Sequence, residues 1–253
     1  MLTSCATLDG YVSRLQLRSH LNEEERQALL DLPLTTSRRR AGSNFVRRGA
    51  PIDCMCVVVE GLVASLRQND DRSRQIMALH IRGDMADLPS LALAEAVCSL
   101  HAITDVSLLH VPLEELHRVA KAHPGVASAL LRDTAVDAAI QLEWASNVGR
   151  KSSRSRLAHL FCEMAARYER VGRCVGLNFE LPMTQEDLAN ATAMTGVHLN
   201  RMLQGLRAEG ILEMRNYIVE VLDWARLTTV ASFDPAYLRF GRVDAHKSGA
   251  SEG

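Results

Sequence analysis

The chain has 253 residues, of which 47% are hydrophobic and 23% charged, which is ordinary globular composition with ample material for one or two buried cores. No run of about 18 apolar residues exists, which argues against a membrane-spanning helix, and the first twenty residues lack a basic segment followed by an apolar one, so no secretory signal is expected. The reading is a cytoplasmic protein whose six cysteines are reduced, with a net charge of −1 that announces no polyanionic partner by itself.

In chain order, residues 8–33 carry helical spacing: Leu8, Val12 and Leu15, then Leu21, Leu29 and Leu30, with Asn22 placed to start "NEEERQALLDL". From residue 34 to about 111 the period changes. "CMCVVVEG" and "LVASLRQ" read as consecutive strands around Gly61, "NDDRS" as the next turn, and "CSLHAITDVSLLHVP" as further strands; short strands at this spacing predict a sandwich or barrel. Pro112 opens a return to helix, and Pro124-Gly125 precedes a helix over about 125–149. In that helix Leu131, Ala135, Ala138, Leu142 and Ala145 alternate four and three residues apart, a coiled-coil seam suited to a two-fold axis. A helix over 151–171 follows, with Leu157, Leu160, Phe161 and Met164 facing inward.

The most informative stretch is "MTQEDLANATAMTGVHLNRMLQGLRAEGIL", residues 183–212. Thr184 with Asp187 three residues on predicts a capping box, and Thr195 caps a second helix that ends at Gly210. Leu199, Met202, Leu203 and Leu206 make that helix's buried stripe. Val197, Asn200, Arg201 and Gln204 then share the other face, with His198 beside them. These side chains suit a thymine methyl, adenine and guanine in a major groove. The short connection fits a helix-turn-helix, and "GILEMRNYIVEVLD" predicts a wing of strands 211–214 and 217–221 turned at Arg215-Asn216. A helix pair docking a protein partner instead of DNA is the alternative.

Other features add to this. Thr184, Thr195 and Gly196, near helix N-termini, are placed to offer backbone N–H groups to phosphate. From Asn147 to Arg173 there are seven Lys/Arg against two Glu, and Arg150, Lys151, Arg154 and Arg156 form a cluster that is either a solvated helical face or a set of phosphate contacts. Cys54 and Cys56 share one face of a strand and read as small core residues, since C-x-C alone is half of a metal site. His80, His101 and His110 read as hydrogen-bonded roll histidines more than haem ligands, and thiol sensing through Cys98, Cys162 or Cys174 is not expected, though the sequence does not decide whether any cysteine is redox-active. No G-x-S-x-G, P-loop or H-E-x-x-H stands in the chain, so an enzyme is not expected.

The order of elements and three strings resemble the Crp/Fnr superfamily of bacterial transcription regulators. "RRGAPIDCMCVVVEGLVASL" resembles its roll strands, "IRGDMADL" its GD turn, and "LPMTQEDLANATAMTGVHLNRMLQGLRAEGIL" its helix-turn-helix in the subgroup carrying V-H-x-N-R; the likeness covers about residues 8 to 238. It implies an α+β chain of four parts: a double-stranded β-helix (jelly-roll, cyclic-nucleotide-binding-like) sensor domain over 1–123, a dimerisation helix over 124–149, a winged helix-turn-helix over 150–238 and a flexible tail over 239–253. It further implies a homodimer on double-stranded DNA with an inverted repeat, and contact with RNA polymerase if the output is activation.

The resemblance departs at three places. Leu88, with Asp87 beside it, stands where cyclic-nucleotide-binding members place a ribose-binding Glu, and Cys98-Ser99 stands where they place the phosphate-binding Arg. Without that bidentate guanidinium a buried phosphate is costly to desolvate, so cyclic AMP in the usual mode is not expected unless a nearby group such as Arg82 substitutes. Only Cys5 stands near the N-terminus, where iron–sulfur members carry a cluster of cysteines, so no such cofactor is carried over. Ala193 stands where many members have Gly at a left-handed turn, at a cost of about 1 kcal/mol.

Overall fold

The computed structural model of the chain describes residues 8–68, 74–175 and 177–239; Cys5, the turn at 69–73 and the polar tail beyond Arg239 lie outside them. Two short helices open the chain, α1 (Asp9–Gln16) and α2 (Glu23–Leu30). The start of α2 is fixed chemically: Asn22 accepts from the Glu25 N–H at 2.9 Å and Glu25 accepts from the Asn22 N–H at 2.9 Å.

Eight strands follow: β1 (Thr35–Arg39), β2 (Asn44–Val46), β3 (Cys54–Glu60), β4 (Val63–Gln68), β5 (Arg74–His80), β6 (Met85–Ala86), β7 (Ser99–Ala102) and β8 (Val106–Pro112), with a single turn α3 (Ser90–Leu93) before β7. They make two antiparallel sheets, β1-β8-β3-β6 and β2-β7-β4-β5. Val58, Val63, Ala86, Leu100, Ala102, Val106 and Leu108 form the core of this roll. On the alternate positions of β3 and β8, Met55, Val57, Leu109 and Val111 belong to a second core shared with α1, α4 and α5, the latter two given below. Gly61, at φ +89, turns β3 into β4, and a Cβ there would lie 2.4 Å from the Asp105 carbonyl oxygen, so only glycine fits.

Helix α4 (Leu113–Ala122) leads to α5 (Pro124–Arg150), 27 residues long with Pro at its first turn. One face of α5, carrying Val126, Leu130, Val136, Ile140 and Trp144, is buried against its own chain. The five seam residues Leu131, Ala135, Ala138, Leu142 and Ala145 lie exposed on another face, Leu131 at 72% and Leu142 at 70%.

The remainder is a head made of α6 (Ser153–Arg170), β9 (Cys174–Val175), β10 (Asn178–Glu180), α7 (Gln185–Thr192), α8 (Gly196–Ala208), β11 (Leu212–Arg215), β12 (Ile218–Val221), α9 (Trp224–Ala231) and a 3₁₀ turn, Pro235–Leu238. The wing differs from expectation in two ways. Its turn is Asn216-Tyr217, one residue later than expected; both have positive φ, 48° and 66°, and Arg215 pairs with Ile218 across them, a two-residue hairpin of type I′ form. It also sits in a four-stranded sheet, β11-β12-β10-β9, whose last two strands are too short to show a period.

Head and roll share one core: Phe161, Met164, Leu188, Leu199 and Leu206 belong to the same cluster as Leu62, Ile76, Leu79 and Ile81 of the roll and Ile140 and Trp144 of α5. A buried polar chain crosses the same seam. Asp84 accepts from Arg167 of α6 at 2.7 Å, from the Ile81 N–H at 2.8 Å, and pairs with Arg14 of α1 at 3.1 Å. Arg167 continues to Glu163 at 3.0 Å, and Glu163 accepts from the Trp144 indole and the Tyr237 hydroxyl, both at 2.8 Å. Burial alone would raise the Asp84 pKa, but Arg14 and Arg167 hold its carboxyl below the ordinary range.

Asp137, on the buried face of α5 and hydrogen-bonded by Gln141 at 2.9 Å, is the opposite case. Burial pushes it up to about 6; Asp133 and Asp84 add to the rise, and Arg14 and Arg167 oppose it. Between its ordinary value of 3.8 and about 6 the folded chain therefore holds more proton than the unfolded chain, so this residue makes stability fall as pH rises through that interval. Urea unfolding across pH 4 to 6.5 should show the parent losing roughly 2–3 kcal/mol relative to Asp137→Asn; two parallel curves would contradict the assignment.

Candidate nucleic-acid interface

The helix pair α7–α8 is set by its caps. Thr184 accepts from the Asp187 N–H at 3.1 Å while Asp187 accepts from the Thr184 N–H at 2.9 Å. Thr195 accepts from the His198 N–H at 3.3 Å and starts α8. Between the helices, Ala193 lies at φ 51, ψ 54, the left-handed region expected there. The turn is braced from α6: Arg156 donates to the carbonyls of Thr192 at 2.9 Å and Ala193 at 3.3 Å, satisfying oxygens that a helix C-terminus leaves open.

On α8, Leu199 and Leu206 are buried, and Met202 and Leu203 pack half-buried beside them. On the other side Val197 is 85% exposed, Arg201 and Gln204 are exposed, and His198 and Asn200 are half-buried. Arg201 Nη2 lies 2.5 Å from His198 Nδ1. A guanidinium only donates, so in this contact Nδ1 is the acceptor. Arg201 is not neutralised by Glu209 at the end of α8. That carboxylate is held instead by Arg154 at 2.6 Å and Arg226 at 3.3 Å. The exposed stripe therefore keeps its positive charge and its apolar Val197 uncovered.

The basic cluster divides differently from the sequence expectation. Arg150 ends α5 exposed, with no ion pair among the described residues. Lys151 is turned inward, pairing with Glu143 at 3.5 Å and donating to the Ala231 carbonyl at 2.9 Å. Arg154 is paired with Glu209, and Arg156 braces the helix-turn-helix. Lys151, Arg154 and Arg156 are thus each engaged within their own chain, Lys151 and Arg154 by a carboxylate and Arg156 by backbone oxygens, which leaves Arg150 as the cluster member with no such partner among the described residues. The Thr184 N–H is given to Asp187. The Thr195 and Gly196 positions sit exposed at the start of α8. The sequence reading missed Tyr217 and Ile218, half-exposed at the wing tip, because the misplaced turn put Tyr217 within a strand.

In the roll, Leu88 is buried, and the Asp87 carboxylate is occupied by the Ser90 hydroxyl and by the Val97 N–H at 3.0 Å. Arg47, Arg48 and Arg67 line a cleft at Val97 and Ser99, next to Cys98. Arg82, which sequence reasoning offered as a substitute phosphate ligand for that place, instead lines a different cleft beside Arg38 and Arg173. Cys54 and Cys56 each lie 3.5 Å from His110 Nδ1. Among the described residues, no group of three or more His, Cys, Asp or Glu is arranged to hold a metal ion. His80 lies 2.8 Å from the Ser65 hydroxyl and His101 2.7 Å from the Asn44 side-chain oxygen.

Comparisons with known proteins agree with this geometry. The model of the Crp-like helix-turn-helix domain matches residues 155–230, and that of the cyclic nucleotide-binding domain matches residues 37–123. The chain is 26% identical over 200 residues to the transcriptional activator protein FnrL of Cereibacter sphaeroides, covering 77% of this chain and 79% of that protein. It is 21% identical over 223 residues to the transcriptional activator protein FnrA of Stutzerimonas stutzeri, covering 88% and 91%. Among solved structures it is similar to FixK2 from Bradyrhizobium japonicum, with a TM-score of 0.71 at 25% identity, covering 79% of this chain and 98% of that one. A winged helix-turn-helix head on a cyclic-nucleotide-binding-type roll makes this a DNA-binding transcription regulator, a class that is not enzymatic. The chain belongs to the Crp/Fnr family.

The left-handed Ala193 is a testable defect. Ala193→Gly removes a Cβ penalty of about 1 kcal/mol and should raise Tm by roughly 2–4 °C in a thermal melt; a lower Tm would show that the turn gains more from the methyl group than it loses in strain.

Proposed function

We propose that two copies of this chain pair through α5 and set their α8 helices into successive major grooves of an inverted-repeat DNA site, about 34–36 Å apart. The observation that carries this is the stripe on α8: Arg201 unneutralised, Val197 uncovered and Gln204 free to reach outward. In this reading Arg201 contacts guanine O6/N7, Val197 a thymine methyl, and Asn200 adenine or a phosphate. His198 orients Arg201 and touches a phosphate, and Gln204 contributes deeper along the helix. Backbone N–H groups at Thr195 and Gly196, together with Arg150, hold the phosphates.

Pairing rests on the exposed seam. Leu131 and Leu142 stand on the face of α5 away from its own core, and a self-complementary stripe around a two-fold is the simplest way to cover them. The working parts are then a sensor roll over 1–123, the pairing helix over 124–149 and the DNA-reading head over 150–238.

Cyclic AMP in the usual mode is not the signal in this reading: Leu88 offers no oxygen to a ribose, and the Asp87 carboxylate is spent on Ser90 and Val97. Neither haem nor an iron–sulfur cluster is the signal in this reading: His80 and His101 are held by Ser65 and Asn44. FnrL and FnrA are named as transcriptional activators, which supports RNA polymerase as a partner. No helix among the described residues is long and apolar enough to cross a membrane, which agrees with a cytoplasmic setting.

Two outcomes test this. With duplexes selected from a random pool, Arg201→Ala should cost about 1–3 kcal/mol of discrimination at one base pair per half-site. Unchanged selectivity would point to a head that docks protein. Leu131→Glu with Leu142→Glu should shift the chain from dimer to monomer in sedimentation and weaken specific binding at least tenfold at unchanged helicity; a dimer that survives both carboxylates would refute the seam.

A further inference from the structure

The seam between head and roll contains a second cleft, separate from the one at Val97 and Ser99. We propose that this cleft binds a small molecule carrying two or more phosphate groups and that its occupancy biases the placement of the head. The inference rests on the DNA-reading function proposed above for its consequence, though not for the binding itself.

The cleft measures about 800 Å³, within the size range of small-molecule sites. Its roll wall carries Arg38, Arg39 and Arg40 at the end of β1 and Arg82 in the turn between β5 and β6; its head wall carries Tyr168 of α6 and Arg173 just ahead of β9. Arg39 is turned toward Cys56 and His110 on the other face of β1, so four arginines, Arg38, Arg40, Arg82 and Arg173, stand against three carboxylates, Glu60, Asp105 and Glu180, a local excess of one positive charge (4 − 3). Asp105 is already committed, accepting the Ala41 N–H at 2.8 Å. Arg40, Arg82 and Arg173 form no ion pair among the described residues, whereas Arg14, Arg154 and Arg167 elsewhere in the chain all do.

Like charges gathered along one seam repel, and a polyanion between the walls converts that repulsion into attraction. The guanidinium fork matches phosphate oxygens bidentately, so arginine rather than lysine is the fitting residue for such a ligand. Because the charges stand on two walls, a ligand needs at least two anionic groups to engage both, which favours a polyphosphate over a single phosphate.

The position gives the binding a consequence. Arg82 and Asp84 flank Gly83 in a single turn, and Asp84 holds Arg167, the residue next to Tyr168 in the opposite wall. A ligand drawing Arg82 and Arg173 together acts directly on the ion pair that fastens head to roll.

The test uses the full chain in metal-free buffer at constant ionic strength, without DNA, titrated calorimetrically with inorganic pyrophosphate and with orthophosphate. Pyrophosphate should bind one per chain and at least tenfold tighter than orthophosphate. Arg82→Ala and Arg173→Ala should each weaken it tenfold or more with Tm unchanged, Glu180→Gln should tighten it, and Arg48→Ala in the other cleft should leave it alone. Equal affinity of the two anions, or insensitivity to Arg82 and Arg173, would overturn the site, as would loss on Arg48→Ala or displacement by a short single-stranded oligonucleotide at lower concentration. Pyrophosphate should also change affinity for a selected duplex at least fivefold; binding without such a change would refute the coupling. Failure to discriminate among duplexes with pyrophosphate binding intact would indict the DNA-reading proposal alone.

Discussion

Arg167 and Asp84 meet 2.7 Å apart in a place with almost no water, and the arrangement of head on roll turns on that contact. Two charges at this depth are costly to bury and are tolerated only because each has further partners: Arg14 and the Ile81 N–H for the carboxylate, Glu163 and the Leu79 carbonyl for the guanidinium. Glu163 passes the constraint on to Trp144 in α5 and to Tyr237 near the end of the described chain. Apolar packing around Phe161 and Leu79 would hold the two bodies together in many orientations. The polar chain selects one, because any rotation that separated its members would leave a charge buried without a partner.

That constraint leaves α5 as the element with two loyalties. Val136, Ile140 and Trp144 commit one face to its own chain, and Leu131 and Leu142 leave another bare. If two copies pair through these bare faces as proposed, the way the faces meet sets the distance between their α8 helices. Under the proposed regulation, a ligand at the seam would have to weaken or re-partner the Asp84–Arg167 contact before the head could take a second position.

The sequence made the local features legible and hid the distant ones. The Thr184–Asp187 box, the Thr195 cap and the inward stripe of α8 follow from short-range spacing, where periodicity and capping act, whereas the left-handed Ala193 was expected only from the resemblance to the family. Strands β3, β4 and β8 were legible because apolar residues run along them. β1, "TTSRR", was not, because it is polar on both faces at the edge of its sheet, and β9 and β10 are too short to carry a pattern. Charge was the poorest guide. Lys151 and Arg156 look like phosphate ligands in the chain, yet fold inward to carbonyls at Ala231 and Thr192 that are distant in sequence. No local pattern links Asp84 to Arg167, 83 residues on. The place of Arg201 on the exposed face of α8 was legible from its spacing, but its freedom from Glu209 depended on Arg154 and Arg226 taking that carboxylate first.

The central claim is that two copies of α8 face DNA symmetrically, and a hydroxyl-radical footprint of the purified chain on a selected duplex tests it most directly. The account predicts two protected stretches related by a dyad and centred about one helical turn, roughly 10–10.5 base pairs, apart. A single protected patch without a dyad, or the same footprint from a chain shown to be monomeric on the duplex, would contradict it.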